Sequence, residues 1–196
     1  MIAEAVRTSV LAGYTDRFGA LAEVSDGGLS IHEVPFVAQV NLSADPKDAD
    51  VMERLASSLG FALPVVPNTV GSREDLRALW MAPDEWLFVG LEGQQAAIEL
   101  ELRNGLNGAF GAIVDVSANR SVLEIHGSRA SELLARGVPI DLDARSFGPN
   151  RCAQTLLAKA HVVIERRGEA RFHVYVRSSF ARYAADFLLD VAAGIV

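Results

Sequence analysis

Two adjacent carboxylates, Asp84 and Glu85, stand between the two tryptophans of the chain in the segment LWMAPDEWLFVG, residues 79–90. Paired acids beside large aromatic rings can carry out proton transfer. The residues Ala82-Pro83-Asp84-Glu85 also fit a β-turn, because proline occupies its second position and apolar strands flank it. The turn is the more common use of this pattern. The segment therefore predicts a hairpin tip with solvent-facing carboxylates, and an acid pair is the alternative.

The strand after this turn is apolar on both sides. Trp86 and Phe88 share one face, and Leu87 and Val89 share the other, because side chains alternate along a strand. An apolar residue at every position predicts a strand that is covered on both faces. Since aromatic side chains bury large areas, we expect the tryptophans in a core or an interface rather than around a cofactor.

The four histidines and the single cysteine give no catalytic or metal-binding pattern. His32, His126, His161 and His173 are never three or four residues apart, and three of them lie in strand-like runs. This favours hydrogen-bonded structural roles over metal ligation. Cys152 lies in an apolar strand, which predicts a buried and unreactive thiol. One cysteine also excludes an internal disulfide and a zinc site built from several cysteines.

Two further segments resemble functional motifs but fit simpler structures better. Asp141 and Asp143 precede Arg145 and would share one face of a strand, yet a solvated loop suits them better. In NGLNGAFG, residues 104–111, glycines recur at every third position before a strand. A dinucleotide-binding loop needs G-x-G-x-x-G between a strand and a helix, so the segment predicts a helix end and a turn. The residues thus predict no catalytic, cofactor-binding or metal-binding site on this chain.

Composition excludes several classes of function. The 196 residues carry a net charge of −7, which argues against nucleic acid binding, because phosphate contacts need a surplus of basic residues. Glu4 and Arg7 interrupt the apolar core that a signal peptide needs. The uncharged run 55–72 contains Pro64 and Pro67 and cannot form one membrane-spanning helix. We expect a soluble, cytoplasmic protein with no membrane contact.

Four helices are marked by their ends. In ADPKDADVMERLASSLG, Asp45 is the predicted N-cap, Pro46 takes the first helical position, and Gly60 ends the helix. The other helices are predicted over 94–106, over 128–137 with Ser128 as the cap, and over 178–194. The buried side of the last helix is predicted to contain Phe180, Ala184, Phe187, Leu188 and Val191.

Strand patterns alternate with these helices in an order that suggests an internal duplication. The predicted strands cover 36–42, 76–81, 86–89, 112–116, 122–126, 152–157, 161–165 and 171–176, and ERRGEAR, 165–171, reads as a hairpin loop around Gly168. A strand, a capped helix and an apolar run with proline occur at 40–64 and again at 122–142. A hairpin and a closing helix follow each time.

This order predicts an α+β fold of two similar half-units that pack as one body. The predicted divisions are an N-terminal arm over residues 1–30, a first half-unit over 31–108 and a second over 109–196. The arm has no place in the duplicated scheme and carries the apolar residues Val6, Val10, Leu11 and Phe18. We expect a partner to order it.

One long stretch of the sequence resembles the gamma subunits of heterotetrameric sarcosine oxidase. The resemblance covers residues 76–193 and is specific in combination, although each matching residue is weak by itself. The matching residues are APDEWL (82–87), Asp115, Ser117, Arg120, Gly127, Arg129, Ala130, Leu133, Leu134, Gly137, Pro139, Asp141, Leu142, Cys152-Ala153-Gln154-Thr155 and YVRSSFARYAADFLLDVA (175–192).

The resemblance implies a fold, a set of partners and a complex. The fold is that of the folate-binding aminomethyltransferases, made of two ferredoxin-like halves. The partners are the alpha, beta and delta subunits of the oxidase, which would carry FAD, FMN, NAD and tetrahydrofolate, while this chain carries no cofactor. The complex oxidatively demethylates sarcosine to glycine and yields hydrogen peroxide with formaldehyde or methylene-tetrahydrofolate. The chain alone would then be inactive and could self-associate.

Two other functions stay open on the sequence. One is a stand-alone folate-binding aminomethyltransferase-like protein, although such proteins are considerably longer, and the related iron–sulfur-assembly proteins carry a lysine-glycine-cysteine-tyrosine motif where this chain has NRCAQT. The other is a stand-alone small-molecule-binding domain, which nothing in the sequence contradicts.

Overall fold

The structure is a computed structural model that describes residues 7–195. Within this range five α-helices and ten β-strands alternate, with short 3-10 helices at Ala12–Tyr14 and Ser178–Phe180. The helices are α1 (Thr15–Val24), α2 (Ala49–Leu59), α3 (Gln95–Leu106), α4 (Ala130–Ala135) and α5 (Ala181–Ala192). The strands are β1 (Ser30–Glu33), β2 (Ala38–Ala44), β3 (Val70–Arg73), β4 (Leu76–Ala82), β5 (Glu85–Gly90), β6 (Gly111–Asp115), β7 (Arg120–His126), β8 (Arg151–Leu157), β9 (Ala160–Gly168) and β10 (Arg171–Arg177).

The strands form two antiparallel sheets that repeat the same topology. The first sheet has the order β3-β4-β5-β2-β6, and the second has the order β8-β9-β10-β7-β1. In chain order, β2-α2-β3-β4-β5-α3 corresponds to β7-α4-β8-β9-β10-α5. Without the additional edge strands β3 and β8, each sheet has the strand order of a ferredoxin-like unit. The predicted duplication is therefore present.

In each sheet, one edge strand comes from the other predicted half-unit. The first sheet is closed by β6, which pairs with β2 although it lies after residue 108. The second sheet is closed by β1, which pairs with β7 although it lies near the N-terminus. Sheet membership thus crosses the predicted division between residues 108 and 109, because strand pairing joins distant segments, β2 to β6 and β1 to β7.

The N-terminal arm was predicted to lie outside the duplicated fold, but its described part packs into the second half. Residues 1–6, and with them Val6, lie outside the described residues. The remainder forms α1 and leads into β1, and Leu11, Phe18 and Leu21 are buried in the core of the second half. These apolar side chains cover the helix-facing side of the second sheet, so they are ordered by the chain itself.

The two sheets pack against each other, and helices cover their outer sides. Trp86 and Phe88 lie in the core between the first sheet and its helices. Leu87 and Val89 lie in a separate core between the two sheets, together with Tyr175 of the second sheet. The prediction that β5 is covered on both faces is confirmed. We call the side of each sheet that contacts the other sheet its inner face.

Two predicted helix starts need correction. The N-cap of α2 is Asp48, whose side chain accepts a hydrogen bond from the Val51 amide, while Asp45 forms a turn just before it. The helix ends at Gly60 as predicted, with φ +76°. The N-cap of α4 is Arg129 rather than Ser128, and no side chain caps this helix. The turn after α2 needs a left-handed residue, which glycine supplies at no steric cost.

The last helix and the hairpin before it also differ in detail. Phe180 was predicted on the buried side of α5 but lies in the 3-10 turn before it and is 45% exposed. The hairpin loop predicted over 165–171 is shorter, because β9 continues to Gly168 and leaves two residues for the turn. Glu165 and Arg166 are therefore buried strand residues. Within the described part of the chain, no helix is long and apolar enough to cross a bilayer.

Candidate functional site

The adjacent carboxylates Asp84 and Glu85 lie at the hairpin between β4 and β5. Asp84 is exposed at the tip, and Glu85 accepts a hydrogen bond of 2.6 Å from the Asn41 side-chain amide. Trp86 is fully buried, and its indole N–H donates to the Pro64 carbonyl at 2.8 Å. The predicted turn is confirmed, but only Asp84 faces solvent as predicted, because Glu85 is the first residue of β5 and is partly buried. The two acids point to different surroundings and do not form a proton-transfer pair.

Cys152 is buried. Its sulfur lies 3.5 Å from the carbonyl oxygens of Thr69 and of Trp80, in the core between the two sheets. Burial, assisted by the negative charge of Glu165, raises the pKa of this thiol to about 12. A thiol that stays protonated at neutral pH is a poor nucleophile. The predicted burial of Cys152 is confirmed, and its low reactivity stays a prediction.

A buried carboxylate, Glu124, brings two of the histidines together. His173 lies opposite it on β10, with Nε2 at 2.8 Å from one carboxylate oxygen, and His32 on β1 lies 3.4 Å from the other. Arg171 donates a hydrogen bond of 2.6 Å to the same carboxylate. Burial alone would raise the pKa of Glu124, but the hydrogen bonds from His173 and Arg171 outweigh it and bring the pKa to about 2. Glu124 is therefore ionised at neutral pH.

The protonation of His173 follows from its neighbours. Burial lowers its pKa, although the hydrogen bond to Glu124 opposes that shift. An ionised carboxylate can only accept, so Nε2 carries the proton, and Nδ1 is then free to accept from Arg167 at 3.4 Å. The ring is thus a neutral bridge between a carboxylate and a guanidinium. This is the hydrogen-bonded structural role that the sequence predicts for His173.

A second buried polar group, centred on Glu165, lies between the two sheets. Arg77 of β4 donates to one oxygen of Glu165, and Tyr175 donates to the other at 2.6 Å. Arg77 also donates to the Asn150 side chain at 2.9 Å. Glu165 has no exposed surface, and its charge is balanced by a guanidinium from the opposite sheet. Burial and the nearby charge of Glu165 raise the pKa of Tyr175 well above its ordinary value, so the phenol stays neutral.

The remaining residues singled out in the sequence are structural or lie at the surface. Asp143 lies in an exposed loop, where the hydrogen bond from Arg145 lowers its pKa to about 2. His126 and His161 are exposed at strand ends. The glycine-rich segment after α3 ends that helix at Asn107, which adopts the left-handed conformation with φ +47°. The predicted loop and helix end are both confirmed.

These groups do not combine into a reactive centre. In the described residues, the buried acids are held by arginines and by hydrogen bonds, and the cysteine is protonated. Within residues 7–195, no three side chains of histidine, cysteine, aspartate or glutamate lie together in a way that could hold a metal ion. The Arg77–Glu165 pair joins the two sheets across 88 sequence positions, and His32 pairs with Glu124 across more than 90 positions, which is why sequence reasoning missed both groups.

Several large apolar side chains are exposed instead. Phe110, at the start of the edge strand β6, is 99% exposed, and Val114 on the same strand is half exposed. Solvent-exposed edge strands and aromatic side chains are common places for another chain to bind. The other exposed large apolar residues are Val10, Val24, Val65, Val66, Leu91, Leu100, Phe180 and Tyr183. Phe110 and Val114, beside and on this edge strand, are therefore candidates for contact with another protein.

Comparison with known proteins gives one consistent answer. The family model described as "Sarcosine oxidase, gamma subunit family" matches residues 42–194. A sarcosine oxidase subunit gamma from an Arthrobacter species is 38% identical over 173 residues, which cover 87% of this chain and 84% of that protein. A second one, from Corynebacterium sp. (strain P-1), is 36% identical over the same shares of both chains.

Solved structures agree with this at the level of the fold. A chain of the heterotetrameric sarcosine oxidase from Corynebacterium sp. U-96, solved in complex with pyrrole 2-carboxylate, matches with a TM-score of 0.87 and 32% identity over 97% of this chain and 96% of that chain. The glycine cleavage system aminomethyltransferase T from Bartonella henselae matches with a TM-score of 0.68 and 16% identity. It covers 94% of this chain and 57% of that chain, and it shows a shared fold only.

Proposed function

The chain belongs to the sarcosine oxidase gamma subunit family, and we propose that it serves as a non-catalytic structural subunit of a heterotetrameric sarcosine oxidase. The observation that carries the proposal is the match over almost the whole chain to a chain of such an oxidase. The aminomethyltransferase likeness alone would also suit a stand-alone folate-binding protein. The family match favours the subunit over that alternative.

The chemistry of the described residues supports a structural role. The buried acids and the buried histidine are engaged with each other or with arginines. The exposed apolar side chains, with Phe110 the most exposed, are what a chain shows when it is separated from a permanent partner. The subunit then contributes surface and stability rather than reacting groups.

The rest of the activity belongs to other chains in this proposal. The partners are the alpha, beta and delta subunits, and these carry FAD, FMN, NAD and tetrahydrofolate. The complex converts sarcosine to glycine with hydrogen peroxide and either formaldehyde or methylene-tetrahydrofolate, and it works in the cytoplasm. The isolated gamma chain is colourless and inactive, and it self-associates through its uncovered apolar surface.

Co-expression tests the proposal. The tagged chain should co-purify in equal amounts with the other subunits encoded beside its gene, and it should raise their thermal stability, because binding to the folded state alone stabilises that state. The chain purified by itself should show no flavin absorbance and no oxygen consumption with sarcosine. Turnover by the lone chain would refute the proposal, as would its absence from the purified oxidase.

A further inference from the structure

Two arginines face each other on the second sheet in an arrangement that costs stability. Arg120 on β7 and Arg177 on β10 are direct cross-strand partners. Both side chains lie on the inner face, because Val122 and Tyr175, two residues further along the same strands, belong to the core between the sheets. Like charges directly opposite each other on neighbouring strands are destabilising. The fold itself therefore gains nothing from this pair.

Within the described residues, neither arginine forms an ion pair with a carboxylate. Other arginines among residues 7–195 form ion pairs with aspartate or glutamate, but Arg120 and Arg177 form none. Glu85 is the acid that attracts Arg120, but its carboxylate already accepts a hydrogen bond from Asn41. Burial, and next to it the positive charge of Arg177, lower the pKa of Arg120. An anion placed between the two guanidinium groups would offset both the burial of the Arg120 charge and its repulsion by Arg177.

The two arginines line a cleft of about 730 Å³. Its apolar walls include Leu156 and Phe180. Gln154 also lines the cleft, and its side-chain amide donates a hydrogen bond of 2.7 Å to the Met81 carbonyl of the first sheet. The 3-10 turn at Ser178–Phe180 and helix α5 begin at this cleft without a side-chain cap.

The surface beside the cleft is aromatic and cationic. Phe180 and Tyr183 form an edge-to-face pair with ring centroids 6.4 Å apart, and they are 45% and 39% exposed. The amide of Lys159 donates to the Tyr183 hydroxyl at 3.3 Å, which places this lysine at the edge of the same surface. A locally cationic surface on a chain of net charge −7 is complementary to an acidic partner. Because the exposed rings continue outside the cleft, the occupant covers more surface than a small molecule in the cleft alone.

We propose that this Arg120/Arg177 cleft receives a segment of another subunit of the oxidase that carries a carboxylate between apolar side chains. The carboxylate pairs with the two guanidinium groups, which suit carboxylate geometry better than lysine does. The apolar flanks of the segment contact Phe180 and Tyr183. The inference rests on the proposed function, since it names a surface through which the subunit is held in the complex.

The test compares assembly of three chains with the other subunits of the oxidase. These are the native chain, the double variant Arg120→Gln/Arg177→Gln, and the control Arg103→Gln, which removes an exposed arginine on α3 that pairs with Glu99. Loss of charges that pair in a covered interface should raise the dissociation constant of the gamma subunit at least about 30-fold, and the control should bind like the native chain. The double variant alone should unfold at a temperature no lower than that of the native chain, because it loses a repulsion.

Hydrogen exchange gives an independent measurement that needs no variant. Amides in residues 154–163 and 175–183 should exchange more slowly in the assembled oxidase than in the isolated chain. If the native chain assembles while these amides are unchanged, or while the double variant binds as tightly, the inference is wrong and the proposed function stands. If the native chain does not assemble at all, the proposed function fails and the inference fails with it.

Discussion

Replacing Trp86 by alanine should lower the free energy of unfolding by about 3–5 kcal/mol, the usual cost of truncating a fully buried tryptophan. The ring has no exposed surface, and it lies in the core between the first sheet and its helices. The substitution also removes the hydrogen bond to the Pro64 carbonyl, which contributes about 1 kcal/mol. By contrast, removing both Asp84 and Glu85 should cost less, about 1–2 kcal/mol, because Asp84 is exposed and Glu85 loses one partly buried hydrogen bond.

Urea unfolding followed by far-ultraviolet circular dichroism measures both changes without relying on tryptophan fluorescence. A matched control is available in Trp80, the cross-strand partner of Trp86, which is only partly buried. Trp80→Ala should therefore cost less than Trp86→Ala at an unchanged slope of free energy against urea. Equal losses from Trp86→Ala and from the double acid variant would refute the description of this hairpin.

Three further outcomes are expected. Gly105→Ala should destabilise the chain by about 1–2 kcal/mol in urea unfolding, because the new methyl group would lie 2.8 Å from the Leu55 backbone. The matched variant Gly19→Ala on α1, which has open space around it, should instead stabilise the chain by up to about 1 kcal/mol. Ionised Glu124 contributes its full stabilisation above the ordinary glutamate pKa of 4.5, and this stabilisation is lost as the pH falls towards 2. Glu124→Gln should therefore flatten the pH dependence of the unfolding free energy between these values. An unchanged pH profile would contradict the buried pairing. Cys152 should react with a thiol reagent at pH 8 only after denaturation, and rapid labelling of the folded chain would contradict its burial.

Local patterns in the sequence were sufficient to predict the repeated core of the fold. The alternation of side chains along β5 placed Trp86 and Leu87 on opposite covered faces, and both assignments are confirmed. The glycine at position 60 fixed the end of α2. These features depend on neighbouring residues alone, so a single sequence contains the information. The same holds for the burial of Cys152 within an apolar strand.

Long-range pairing was the part that the sequence did not disclose. The strand β1 has only four residues, and its pairing with β7 places His32 opposite Glu124 across more than 90 positions. Glu165 was predicted where a strand passes into the charged hairpin loop ERRGEAR, with no sign of burial, and its partner Arg77 lies on the other sheet. A buried charge is tolerated only beside its partner, so its burial cannot be inferred until that partner is known.

The most direct measurement of the central claim is the composition and activity of the oxidase purified from cells that express the complete set of subunits. We expect the gamma chain to be present in an amount equal to each of the other subunits, and the isolated gamma chain to consume no oxygen with sarcosine. Purified oxidase that is complete, stable and fully active without the gamma chain would contradict the account, and so would sarcosine turnover by the gamma chain alone.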